Sequence, residues 1–143
     1  MRTAVRRIQK LLGRRGAALL LLGVSHVCFG LGYVVQPEVT SPGLVVLTRW
    51  ASLYCWTFVW LTCGLAAFGS AWLRVGRDWL GFFAALIPPF LWGSAFLWSA
   101  LTGDYPRGLA VAAWYVIGHV GLILWAATVP EFSLPRPVRR ERR

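Results

Sequence analysis

The chain has 143 residues, of which 57% are hydrophobic and 14% charged, with a formal net charge of +10 and a mean hydropathy of +0.59. So few charges over one domain's length exclude an ordinary soluble fold, in which every element needs a polar face. The basic residues cluster in short segments rather than across a surface, which argues against a nucleic-acid partner.

Residues 1–15 read as a basic amphipathic cytoplasmic segment. Val5, Ile8, Leu11 and Leu12 recur at helical spacing, with Arg6, Arg7, Lys10 and Arg14 on other faces. Such a stretch either lies against anionic lipid or serves as a topology signal. Residues 16–130 are expected to form a transmembrane domain. Four runs without Asp, Glu, Lys or Arg supply spans of about 16–36, 50–73, 79–101 and 108–129. A hydrocarbon core of about 30 Å needs roughly 20 apolar residues in helical form, and every run meets that length. The first run is too long for a signal-peptide core and is read as a retained helix.

The links carry their own signals. Ser41 followed by Pro42 matches an N-cap and first helical turn, so a helix is expected to start near Pro42, with Arg49 reaching the interface. Trp50, Trp72 and Trp79 suit interfacial belts, whereas Trp56, Trp60 and Trp92 lie deeper and should pack between helices or against lipid. Only Arg74–Asp78 separates spans two and three, and only Thr102–Arg107 separates spans three and four, so these spans must be antiparallel neighbours. Asp104 and Pro106 fit the start of the fourth helix. Residues 131–143 are Pro- and Arg-rich and are expected to be a disordered cytoplasmic tail.

Charge sets the orientation. Thirteen of the fifteen Lys and Arg residues flank the spans on one side, and only Arg49 and Arg107 lie on the other. By the positive-inside rule both termini are cytoplasmic. The expected fold class is therefore all-α: an integral membrane four-helix bundle, N-in/C-in, multi-pass in the inner (plasma) membrane. The expected partners are the lipid bilayer, anionic lipids and further copies of the chain. Arg6, Arg7, Lys10, Arg14, Arg15, Arg139, Arg140, Arg142 and Arg143 are the candidate headgroup contacts.

Inside the spans, Pro88 and Pro89 are a candidate helix hinge. Each lacks an N–H, so carbonyls near Ala84 and Ala85 lose their intrahelical partners and need another donor in hydrocarbon. Two readings stand: a hinge or wet lumen, and a packed structural kink. His26 and His119, on the first and fourth spans, are candidate intramembrane polar residues. His26 shares a helical face with Gly23 and Gly30 and should point inward. Polar contacts between helices are one role for the pair, and bis-imidazole haem ligation is another. Cys28, Cys55 and Cys63 show no metal-ligand spacing and are expected to be small buried hydrophobes. Small residues one turn apart, as at Gly81 and Ala85 or Gly108 and Ala112, favour close helix packing. No span contains a carboxylate, so the acid of a proton-coupled small multidrug exporter is missing. No catalytic triad, phosphate loop or zinc motif is present, and no enzyme, metal or cofactor is expected.

Three local patterns run through the chain: Arg14-Arg15-Gly16-Ala17-Ala18 leading into Leu19–Gly23, Tyr105-Pro106-Arg107-Gly108 with Trp114 following, and Trp125 with Pro130-Glu131. In these the chain resembles the small four-span membrane proteins of actinobacterial phages, some of them holin-like. The resemblance implies oligomerisation that permeabilises a host membrane for lysis. One departure is that Met1 is the only Met, so control by a second internal start is not expected. The alternatives are an accessory or structural membrane subunit that binds a partner protein, and a DoxX-like or haem-linked membrane redox protein.

Overall fold

Because uncharged runs leave few backbone partners except the chain itself, helix is the expected outcome, and the computed structural model is all-helical among the described residues. It describes residues 2–35, 42–128 and 130, with side chains from Leu12 onward. The tail at 131–143 and the Pro37–Ser41 part of the first link lie outside the described residues. Four helices are long and apolar enough to cross a membrane: Leu12–Val35, Leu53–Ser70, Trp79–Leu101 and Gly108–Thr128.

Helix α1 covers Arg2–Val35 but breaks at Gly13, whose φ of 66° and ψ of −173° no residue with a side chain adopts easily. The basic segment is thus set off from the apolar helix by one glycine. A 3-10 turn, Pro42–Leu44, leads into the short helix α2, Val45–Trp50, so a helix does begin at Pro42. It does not run on into the second span. Ala51 is extended (φ −155°, ψ 154°), and Ser52 starts a new helix, α3, Leu53–Ser70. The uncharged run from Trp50 to Leu73 therefore contains a break at each end. No charge marks either, because the breaks are set by packing. Leu44 and Leu47 bury themselves with Trp92, Ala95 and Phe96 of α4 (Trp79–Leu101). Ser99 Oγ donates to the Pro42 carbonyl at 3.2 Å, and Trp56 Nε1 donates to the Leu47 carbonyl at 2.9 Å. The 42–50 segment is pinned across the end of the helices away from the termini.

The fourth long helix has three parts: α5 (Gly108–Ala113), a π-helical stretch (Trp114–Gly121) and α6 (Leu122–Thr128). Neighbours pack in series, α1 on α3, α3 on α4, and α4 on the fourth helix. Small residues set the closest approaches. A Cβ added at Gly23 would lie 2.6 Å from the Phe68 backbone nitrogen, and one at Gly64 would lie 2.9 Å from the Val27 nitrogen. Here α1 and α3 touch backbone to backbone.

The interior is filled by two apolar clusters. Leu19, Ala67, Phe82, Ala85 and Ile123 pack near the terminal end. Leu44, Trp60, Trp92, Phe96 and Ala112 pack near the far end. Trp56, Trp60 and Trp92 meet edge to face at ring separations of 5.2 and 6.0 Å about Trp92, whose Nε1 donates to Tyr33 Oη at 3.2 Å. Trp50, Trp72 and Trp79 are exposed at helix ends. The expectation for the cysteines fails at two positions: Cys28 and Cys55 are on the outer surface, and only Cys63 is half-buried. Hydrocarbon is as apolar as a protein interior, so a thiol in a membrane helix needs no protein cover.

Candidate functional site

Between the two apolar clusters lies a layer in which a buried imidazole reaches from one helix to a carbonyl of another. Pro89 has no N–H to offer the Ala85 carbonyl four residues back. His26 supplies the donor instead: its Nε2 lies 3.0 Å from the Ala85 oxygen. The oxygen can only accept, so Nε2 carries a proton. His26 is 1% exposed, and Pro88 and Pro89 are as deeply buried. α4 is helical through both prolines. Gly23 and Gly30, one turn to either side of His26, meet α3 at Phe68 and at Leu61 with Trp60. The face that these glycines share with His26 is thus the inward one.

The rest of the imidazole is apolar-packed, with the Trp60 ring 5.0 Å away. Neither His26 Nδ1 nor Trp60 Nε1 has a hydrogen-bond partner among the described residues. His119 sits in the π-helical stretch, stacked on Tyr115 at 5.2 Å and edge-on to Trp114 at 6.1 Å. No ring contact or hydrogen bond joins it to His26 among the described residues. The arrangement ties α1 to α4 at the proline; His119 packs on its own helix. π-helical turns often mark functional positions, and nothing in the sequence signals this one.

A second polar site closes the terminal end. Arg15 Nε donates to Asp78 Oδ2 at 2.6 Å, and Arg15 Nη1 donates to the Ala127 carbonyl in the last turn of α6. The guanidinium also lies over the Phe82 ring, 5.0 Å from its centroid. Asp78 Oδ1 accepts from the Gly76 N–H at 3.0 Å. One arginine thus joins α1, the turn before α4, and the negative end of the fourth helix's dipole. Asp78 is 3% exposed. Burial alone would raise its carboxyl, but the Arg15 and Gly76 hydrogen bonds outweigh burial and hold it below the usual carboxylate range.

Arg15, expected among the headgroup cations, is spent on this cluster, while Arg14 is exposed. The side chains of Arg6, Arg7 and Lys10, and all of Arg139, Arg140, Arg142 and Arg143, lie outside the described residues. Sequence reasoning missed Asp78. Its available signal was that it is the lone acid in an Arg-bearing turn between two spans. Among the described residues no three His, Cys, Asp or Glu side chains gather as a metal site would require. Compared with protein-family models, curated proteins and solved structures, the chain matches none.

Proposed function

We propose that the chain is a multi-pass membrane protein, with both termini cytoplasmic, that acts by associating with copies of itself in the inner membrane, in the manner of a holin. The observation that carries this reading is a set of small residues on surfaces that face outward. Ser25, Cys28 and Gly32 lie exposed on α1, and Thr62, Ala66 and Gly69 lie exposed on α3. A Cβ added at Gly32 or Gly69 would meet nothing within 4 Å. Lipid contact alone gives no reason for small residues, whereas interfaces between membrane helices are enriched in them. The interior of a single chain is filled by Leu19, Trp60, Trp92 and Ile123, so a path for solutes would run between copies. The Arg-rich flanks supply the orientation. If a phage encodes the chain, the membrane is its host's.

The test is induction in bacteria with a potential-sensitive dye, alongside oxidative crosslinking of Cys28 in a C55S/C63S background. Depolarisation, growth arrest and a Cys28-linked dimer are expected. Full potential at high expression with no crosslinked species refutes the reading. Reporter fusions after Arg143 and within 102–107 test the orientation; a periplasmic reporter after Arg143 overturns it. A second reading, an accessory subunit that holds a partner protein, draws on the two polar ties that brace the helices against one another. Co-purification of one stoichiometric partner from native membranes favours it over self-association.

A further inference from the structure

An open groove of about 350 Å³ runs between α4 and the fourth helix. Phe83, Leu86, Ile87 and Phe90 form one wall, and Val120 and Leu124 form the other. No polar atom lines it. Its volume is within the roughly 300–1,000 Å³ typical of small-molecule sites. Its axis follows one face of α4, and one turn back from Phe83 that face ends at Trp79 and Leu80, which are 58% and 53% exposed. Arg77 and Arg74 lie two and five residues before Trp79, in the turn that leads into α4, and both are exposed. An apolar slot thus leads to an interfacial tryptophan and then to two cations.

We infer that this groove binds one anionic phospholipid of the cytoplasmic leaflet, with an acyl chain along Phe83, Ile87 and Phe90 and the phosphate at Arg74 and Arg77. The inference rests on the proposed membrane orientation. Charge complementarity selects this occupant: the groove wall is wholly apolar and suits an acyl chain, and the two exposed cations of the preceding turn, Arg74 and Arg77, are neutralised by a lipid phosphate. The amphipathic Trp79 marks the depth at which a headgroup meets its chain.

The experiment places the full chain in nanodiscs of equimolar phosphatidylglycerol and phosphatidylcholine and counts retained lipids by native mass spectrometry. One phosphatidylglycerol is expected to outlast the rest. Removing both charges in R74Q/R77Q should lower its preference over phosphatidylcholine about thirtyfold. Filling the groove with Ile87→Trp, or independently Leu124→Phe, should reduce retention of both lipids. Leu124 is exposed and Ile87 half-buried, and helical content by circular dichroism checks each variant. Unchanged preference in R74Q/R77Q refutes the anionic assignment. Unchanged retention in both filled variants refutes the groove as the site. A dimer that the filled variants dissociate puts a second copy in the groove and overturns the inference. A chain that incorporates normally but keeps no phosphatidylglycerol refutes the site alone; failure to incorporate refutes the membrane reading with it.

Discussion

Replacing His26 by Leu removes the donor to the Ala85 carbonyl while keeping an apolar side chain in the Trp60 pocket. Hydrogen bonds between membrane helices average only about 0.6 kcal/mol, with a maximum near 1.7, because separated helices find other partners. The Ala85 oxygen is a special case. Pro89 denies it the N–H that any other residue would supply, so it stays unpaired in an isolated α4 as well. The bond should therefore lie near the top of that range, and His26→Leu should cost about 1–2 kcal/mol. Pro89→Ala restores a local donor. In that background the same His26 replacement should cost about 1 kcal/mol less, a coupling well above the additivity error. Reversible unfolding of the four proteins of this cycle in bicelles, followed by steric trapping, measures both quantities. A coupling of zero means that the Ala85 oxygen is not what His26 serves, and the account of this layer is then wrong.

Asp78→Asn should destabilise the protein by about 1.5–3 kcal/mol, since Arg15 loses its charged partner beside the Ala127 carbonyl; thermal unfolding in detergent measures the loss. Because the Asp78 carboxyl is held below its ordinary value of 3.8, its contribution is complete above that pH and disappears as pH falls through the lower folded value. A midpoint near neutrality in wild type that is absent in Asp78→Asn refutes this account of the cluster. Gly23→Ala should separate α1 from α3 and cost about 1–3 kcal/mol, since the new Cβ would meet the Phe68 backbone at 2.6 Å. Gly69→Ala, with open space at that point, should not destabilise, and equal losses in the two variants rule out the close crossing.

Much of the layout was legible from charge alone. The extents of the third and fourth apolar runs agree with α4 and with Gly108–Thr128, because the short turns holding Asp78 and Asp104 bound them sharply. The second run was misjudged at both ends: the break at Ala51 and the turn after Ser70 lie inside uncharged sequence. Pro88 and Pro89 announced a freed carbonyl, and the glycines beside His26 announced its inward face. That these two features meet was not readable. Residues 59 positions apart are brought together only by the register of α1 against α4.

The amino-acid sequence by itself determined that four segments are helical and apolar enough to cross a membrane, because desolvating a backbone leaves helix as the local solution. Tertiary structure alone decided which cation turns inward and which polar atoms find partners. Arg14 and Arg15 are chemically identical neighbours, yet one is exposed and the other joins Asp78, Phe82 and Ala127. The difference is the roughly 100° that one residue turns around a helix axis, and it acquires meaning only when other helices occupy one side.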